Sequence, residues 1–265
     1  MDRKIIPKKS LGQNFLTDSN IIRKIVKLIE NTDFDTLVEI GPGRGALTQH
    51  LVNLNKRLIL VEIDSNLAML LKETFSQIEI LNIDFLKWQP DSSIKNVAII
   101  GNLPYNISTQ IIFNVLSNYT IYKKAIFMLQ KEVAERVVAN NSSKNYSILS
   151  VISQTFSTPK INFHISPNCF YPKPKVTSSL VSFEISNKYN IENFDKFFLF
   201  IKAFFYGKRK KLINVLKKNP FINFSENFLN FFNKNFDTFF RINDITISQL
   251  INLYKFYTED IDEIS

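Results

Sequence analysis

Cysteine is almost absent. Cys169 stands alone, which excludes an internal disulfide framework and any CxxC metal cluster. Histidine is nearly as rare, with only His50 and His164, so histidine-based metal chemistry has little to build on and no metal site is expected. No stretch approaches the ~20 uninterrupted apolar residues of a membrane-spanning helix. The most apolar run, Phe197 to Tyr206, is short and interrupted by Lys202, as suits a buried helix. The opening residues, MDRKIIPKKSLGQNFL, are basic but lack the apolar centre of a signal peptide. These absences set the expectation of a cytoplasmic, reducing location with no membrane partner. Glycine is scarce too, six in 265 residues, yet Gly41, Gly43 and Gly45 fall within one pentapeptide.

Against those absences stands a hydrophobic content of 45%, enough for a sizeable core. The formal net charge of +9 favours a polyanionic partner, nucleic acid or an acidic surface. Asp18 or Ser19 can cap a first helix whose Ile21, Ile22, Ile25, Val26, Leu28 and Ile29 recur at helical spacing. From Thr36 the pattern changes to short, continuous apolar runs: Leu37–Ile40, Leu58–Ile63, Ile78–Leu81, Val97–Ile100 and Ala125–Leu129. Such runs suit strands buried on both faces. The stretches between them, Ala46–Leu54, Leu67–Phe75, Thr109–Leu116 and Glu132–Val138, read as helices. That alternation predicts an α/β fold with a mostly parallel, doubly wound sheet.

A further helix over Ser147–Phe156 precedes two strands, Lys160–Ile165 and Ser178–Ile185. A Pro-rich link joins them, and the expectation is an antiparallel pair at the sheet edge. After residue 188 only helical patterns remain, at Phe194–Tyr206, Arg209–Lys218, Phe221–Phe232 and Asp244–Tyr257. Two domains are therefore expected, 1–188 around the sheet and a small α-helical one over 189–265.

Motifs cluster where the strands end. Glu39-Ile40-Gly41-Pro42-Gly43-Arg44-Gly45-Ala46 closes the first strand, and glycines there let a ligand approach the backbone. Gly41-x-Gly43-x-x-Ala46 also satisfies the relaxed dinucleotide pattern, so a nicotinamide enzyme stays open at this point. Glu62, about twenty residues after the first glycine, can accept hydrogen bonds from both ribose hydroxyls. The third strand runs into Asn82-Ile83-Asp84-Phe85, offering the Asp84 carboxylate near an adenine with the Phe85 ring beside it. Together these residues describe one crevice for an adenosine-bearing cofactor.

The fourth strand ends in Gly101-Asn102-Leu103-Pro104-Tyr105. An exocyclic adenine amine is a weak nucleophile because its lone pair is delocalised into the ring. Accepting hydrogen bonds from both amine protons aims that lone pair at an electrophile. The Asn102 side-chain oxygen and the Leu103 carbonyl can serve as the two acceptors. Pro104 has no N–H to compete and stiffens the turn, and Tyr105 offers a face to a base that has left its helix. An ordinary strand-to-helix turn would use the same residue types. Its place beside the glycine loop and Glu62 favours methyl transfer over hydride transfer.

With these blocks in order, the chain resembles the ribosomal RNA adenine dimethyltransferases, and among them the KsgA-type small-subunit enzymes. The resemblance spans Lys8 to about Lys217 and rests on KSLGQNFL at 9–16, EIGPGRGALT at 39–48, VEID at 61–64 and GNLPYNIST at 101–109. MLQKEVAERV at 128–137, FYPKPKVTSSLV at 170–181 and GKRKKL at 207–212 complete it. It implies a Rossmann-like class I methyltransferase sheet with an antiparallel edge, a helical C-terminal domain, and S-adenosylmethionine as cofactor. It implies dimethylation of two adjacent adenines near the 3′ end of 16S rRNA, within a 30S assembly intermediate, by a monomer. Carried over by position, Asn14, Leu16, Gly41, Glu62, Asp84 and Asn102 would hold the cofactor, with Gly43 and Phe85 added from the residue reading above. Phe170 would sit opposite Tyr105 and sandwich the flipped base.

Lys208-Arg209-Lys210-Lys211 is read as the start of a helix and as a phosphate-contacting cluster. Residues 219–265 match no block of the family. An erythromycin-resistance type enzyme acting on 23S rRNA is the alternative within the same chemistry. A non-catalytic RNA-binding protein on the same fold is a further one, although drift of that kind would be expected to damage Glu62 or Asn102–Tyr105.

Overall fold

The computed structural model describes residues 7–8, 11–91 and 94–264. Lys9 and Ser10, the first two residues of the N-terminal block, lie outside the described residues. The chain divides into two compact units, Met1–Ala134 with Ser157–Ser186, and Glu135–Phe156 with Asn187–Ser265.

The first unit contains β1 (Phe15–Leu16), α1 (Ser19–Glu30), β2 (Thr36–Ile40), α2 (Thr48–Leu51), β3 (Arg57–Val61), α3 (Ser65–Thr74), β4 (Glu79–Leu81), β5 (Val97–Asn102), α4 (Ser108–Ser117) and β6 (Tyr122–Gln130). The chain leaves this unit within α5 (Lys131–Val137), forms α6 (Ile148–Phe156) in the second, and returns for β7 (Ser157–Ile165), β8 (Phe170–Tyr171) and β9 (Ser178–Ile185).

Seven strands form one sheet in the order β4-β3-β2-β5-β6-β9-β7. The first five are mutually parallel, and β9 runs antiparallel to both β6 and β7. All five residues of β2 are buried, which accounts for its unbroken apolar reading. The antiparallel strands bear out the sequence, with the refinement that β9 lies inside the sheet and only β7 forms the edge. That edge position lets β7 carry Pro159, which has no N–H for a ladder, and expose Thr158, Lys160 and His164. Strand order reverses direction between β2 and β5, so the crevice at their carboxyl ends is where such sheets take ligands.

Asp18 caps α1 by accepting from the N–H groups of Asn20 and Ile21 at 2.9 and 3.0 Å. Ile22, Ile25, Val26 and Ile29 are the buried face of that helix, as their spacing predicts. The helix expected over Ala46–Leu54 is shorter, because the glycine loop continues as turns to Leu47 before α2 begins. Sequence patterning also missed the small sheet that pairs Leu16 with Phe170 and Phe15 with Tyr171. Two-residue strands carry no periodicity to read.

The second unit adds α7 (Phe194–Phe205), α8 (Leu212–Lys217), α9 (Glu226–Asn235) and α10 (Ile247–Ile264) to α6. Its interior is aromatic: Phe200 meets Phe204, Phe224, Phe228 and Tyr254 at ring distances of 4.7 to 6.2 Å. Phe156 of α6 packs on Phe194 and Phe197, which explains why this helix sits with the C-terminal helices although a strand of the sheet follows it. α9 starts at Ser225, whose hydroxyl caps the Phe228 N–H, later than the predicted start at Phe221. No helix among the described residues is long and apolar enough to cross a membrane.

Candidate active site

A cavity of about 310 Å³ opens at the carboxyl ends of β2, β3 and β5. Asn14, Leu16, Gly41, Gly43, Glu62, Asp84, Phe85, Asn102, Leu103, Pro104 and Tyr105 all line it. Their convergence follows from parallel topology, which brings every strand's carboxyl end to the same side of the sheet.

The glycine loop bends because Gly41 and Gly43 both take φ of +60°, a region costly for residues with a Cβ. A Cβ at Gly41 would meet nothing within 4 Å, so this stretch of backbone lies bare beside the cavity. At Gly43 the reason differs: a Cβ would stand 2.9 Å from the Phe15 ring. Two acids back the loop. Glu39 is buried and accepts a 2.7 Å hydrogen bond from the Thr48 hydroxyl. Burial pushes its carboxyl up to about 7, opposed by that hydrogen bond and aided by the charge of Glu62.

Glu62 is buried as well, and it accepts from the N–H of Gly43 at 3.1 Å and of Asp64 at 2.9 Å. Burial raises its carboxyl above the usual range while those two N–H groups pull it back. One carboxylate thus joins the glycine loop to the end of β3. Asn82 reinforces the corner by donating to the carbonyls of Glu62 and Ile63 at 2.8 and 3.2 Å. Asp84 caps the turn that follows β4 by accepting from the Leu86 N–H at 3.0 Å, and Phe85 is buried beside it.

At the end of β5, the Asn102 side-chain nitrogen donates to the Asn14 carbonyl at 2.6 Å. With the nitrogen so committed, Oδ1 is the end left to accept. The Tyr105 hydroxyl meets the Ser178 hydroxyl at 2.8 Å, and burial raises the Tyr105 pKa against that hydrogen bond. Phe170 is placed differently from its neighbours in the predicted set. Its side chain is 4% exposed and packs in the core with Leu16 and Ile165, whereas Tyr171 lines the cavity and is 59% exposed. Strand alternation across β8 explains this, since adjacent residues point to opposite faces.

In the second unit, the basic run occupies a turn between α7 and α8 and does not yet form helix; α8 starts only after Lys211. Lys208 donates to the carbonyls of Lys144 and Tyr146 at 3.1 and 2.6 Å. The Lys211 ammonium lies 3.8 Å from the centre of the Phe239 ring, while Arg209 and Lys210 are exposed.

Residue patterning did not find Lys8, Gln13, Asp64, Thr48 or Ser178 as partners in the site. Asp64 alone left a local trace, as the acid preceding a helix. The contacts of Lys8, Gln13 and Ser178 join residues more than fifty positions apart, and Thr48 reaches Glu39 across the glycine loop. No group of three or more potential metal ligands occurs among the described residues.

A family model described as ribosomal RNA adenine dimethylase matches residues 6–259. The chain belongs to that family. Within it, the ribosomal RNA small subunit methyltransferase A of Mycoplasma mobile is 46% identical over 214 residues, 79% of this chain and 83% of that protein. Its namesake from Mycoplasmopsis synoviae is 37% identical over 252 residues, 94% of this chain and 96% of that protein. Among solved structures, a dimethyladenosine transferase from Plasmodium falciparum superposes with a TM-score of 0.79 at 27% identity, covering 92% of this chain and 98% of that one. The 23S rRNA methyltransferase ErmE shares the fold at a TM-score of 0.69 and 24% identity, covering 92% of this chain and all of ErmE. The dimethylase family therefore accounts for an Asn-Leu-Pro-Tyr corner beside a cofactor-sized crevice, and the expected class I methyltransferase fold holds.

Proposed function

We propose that this dimethylase uses S-adenosylmethionine to dimethylate N6 of two adjacent adenines near the 3′ end of 16S rRNA. Its substrate in this reading is a 30S assembly intermediate, met in the cytoplasm by a monomer. Residues 1–188 carry the chemistry and 189–265 form the helical domain, with the 135–156 segment packed in the latter unit. The observation that carries the proposal is the Asn102 amide, tethered by its nitrogen so that its oxygen is the acceptor at the cavity.

The cleft fits the cofactor: a bare glycine backbone at Gly41 and Gly43, the buried Glu62 for ribose hydroxyls, and Asp84 with Phe85 for the adenine end. Asn14 and Leu16 close it from the N-terminal segment. When bound, S-adenosylmethionine supplies an electrophilic methyl group. The chain's own part is to orient the amine. In the first transfer Asn102 Oδ1 and the Leu103 carbonyl each accept a hydrogen bond from one N6–H, which directs the nitrogen lone pair; in the second, the single remaining N6–H has one of these acceptors. Tyr105, steadied by Ser178, offers its ring to the flipped adenine. Phe170, buried in the core and absent from the cavity lining, does not face the base position in this structure; Tyr171 is the β8 ring at the cavity. After transfer the amine is acidic and loses its proton to water, so no strong base is needed.

Arg209 and Lys210 supply phosphate contacts in this reading, with Lys211 beside Phe239 and Lys208 buttressing the turn. The small-subunit choice over the 23S alternative is supported by the names of the relatives at 46% and 37% identity. Transfer of labelled methyl groups to 30S precursor particles, naked 16S rRNA and 23S rRNA in parallel tests it. Label on two adenines of the 16S 3′ end is expected, and label confined to 23S rRNA would overturn the substrate.

A further inference from the structure

The pair Lys8 and Gln13 is held together by hydrogen bonds. The Lys8 N–H donates to Gln13 Oε1 at 2.8 Å, and the Leu11 N–H donates to the Lys8 carbonyl at 3.1 Å. Both long side chains of the pair then reach one carboxylate. Lys8 Nζ lies 2.8 Å from Asp64 Oδ1, and Gln13 Nε2 lies 3.0 Å from Asp64 Oδ2. The Asp64 side chain is only 1% exposed, whereas that of Lys8 is 44% exposed. Burial pushes the Asp64 carboxyl up, but hydrogen bonds from Lys8, Gln13 and the Asn66 N–H bring it below its ordinary value. One residue beyond Gln13, the Asn14 carbonyl receives the Asn102 amide at 2.6 Å. Phe15 and Leu16 then pair with Tyr171 and Phe170.

We propose that Asp64 is a positioning residue for methyl transfer: it clasps Lys8 and Gln13, holds residues 11–16 across the cofactor cleft, and so sets the Asn14 carbonyl on Asn102. The proposal rests on the methyltransferase reading of the cleft. It makes one buried carboxylate responsible for two properties, retention of the cofactor and orientation of the acceptor oxygen. Capping of α3 alone would account for the Asn66 contact at 3.0 Å, but not for the cation and amide drawn in from more than fifty positions away. The Glu62 contact comes from the Asp64 backbone N–H, so a side-chain substitution leaves it in place.

Asp64→Asn in the full chain separates these roles, because asparagine caps a helix as well as aspartate does. Hydrogen exchange at residues 11–17 of the free protein is expected to quicken at least tenfold. Binding of S-adenosylmethionine should weaken about tenfold, the loss expected for a broken charge-assisted pair, and kcat should fall as well. Lys8→Met, at a half-exposed position, should reproduce these changes, and the double variant should add nothing further. Unchanged exchange at 11–17 in both variants, or losses that simply add, would overturn the clasp. Wild-type protein that binds no S-adenosylmethionine would overturn the reading of the cleft itself, and variants that bind as tightly as a binding wild type would overturn the clasp alone.

Discussion

The two units differ in where they concentrate charged groups. The sheet unit buries Glu39, Glu62 and Asp64 beside its cavity and satisfies each with N–H or hydroxyl donors. The helical unit fills its interior with phenylalanine and keeps Arg209 and Lys210 in solvent. Buried carboxylates are costly unless partnered, and three of them lie beside the cavity of the sheet unit. Exposed cations cost little and serve by attracting phosphate. Two charged groups of the helical unit depart from this: the Lys208 ammonium is tied to two carbonyls, and the buried Asp260 carboxylate accepts from the Ser225 hydroxyl and the Asn227 amide.

The sharpest break of this comparison is Asn102→Ala. Removing the acceptor should lower kcat by about 10²–10³-fold, measured by single-turnover methyl transfer. Loss of cofactor binding with unchanged kcat would move Asn102 from the reaction to the cleft wall. Next comes the pH dependence of folding. Glu39 is near its ordinary range when unfolded and pushed up to about 7 when folded. The folded state then binds the extra proton, so stability is fully present below about pH 4.5 and declines as pH rises through 7. The decline attributable to this group is about 3 kcal/mol. Urea titrations of Glu39→Gln should show that slope flattened between those two pH values.

In the helical unit, Lys208→Met should cost about 1.5–3 kcal/mol of stability through its two lost hydrogen bonds. It should leave the salt dependence of RNA binding unchanged. The paired change Arg209→Gln with Lys210→Gln should do the reverse. Stability stays within about 0.5 kcal/mol, while the slope of log K against log salt shrinks by about 1.4 for single-stranded contacts. If Lys208→Met flattened the slope equally, the division between buttress and phosphate contact would fail.

Much of the cofactor side was legible from sequence because its residues sit at strand ends, and strands buried on both faces announce themselves as apolar runs. Gly41, Glu62 and Asn102 each follow such a run, Asp84 follows the partly exposed edge strand β4, and parallel topology brings them to one cavity. The far helices were legible in kind but not in extent. The start of α9 after Ser225 depends on the hydroxyl that caps it, and the apolar periodicity extends beyond that cap. The position of α6 was illegible for a different reason, since its partners Phe194 and Phe197 lie some forty residues onward.

Of the features absent from the chain, the scarcity of glycine proved the most informative. Local chemistry by itself determined the strand-end motifs, the alternation of strand and helix, and the poverty of metal ligands, because each is set by neighbouring residues. Tertiary structure decided which side chain of β8 faces the cavity and which cations of the basic run stay exposed. It also decided that Asp64 grips Lys8 and Gln13. Those outcomes depend on contacts between segments distant in sequence, where burial and hydrogen-bond partners are assigned only once the chain has folded.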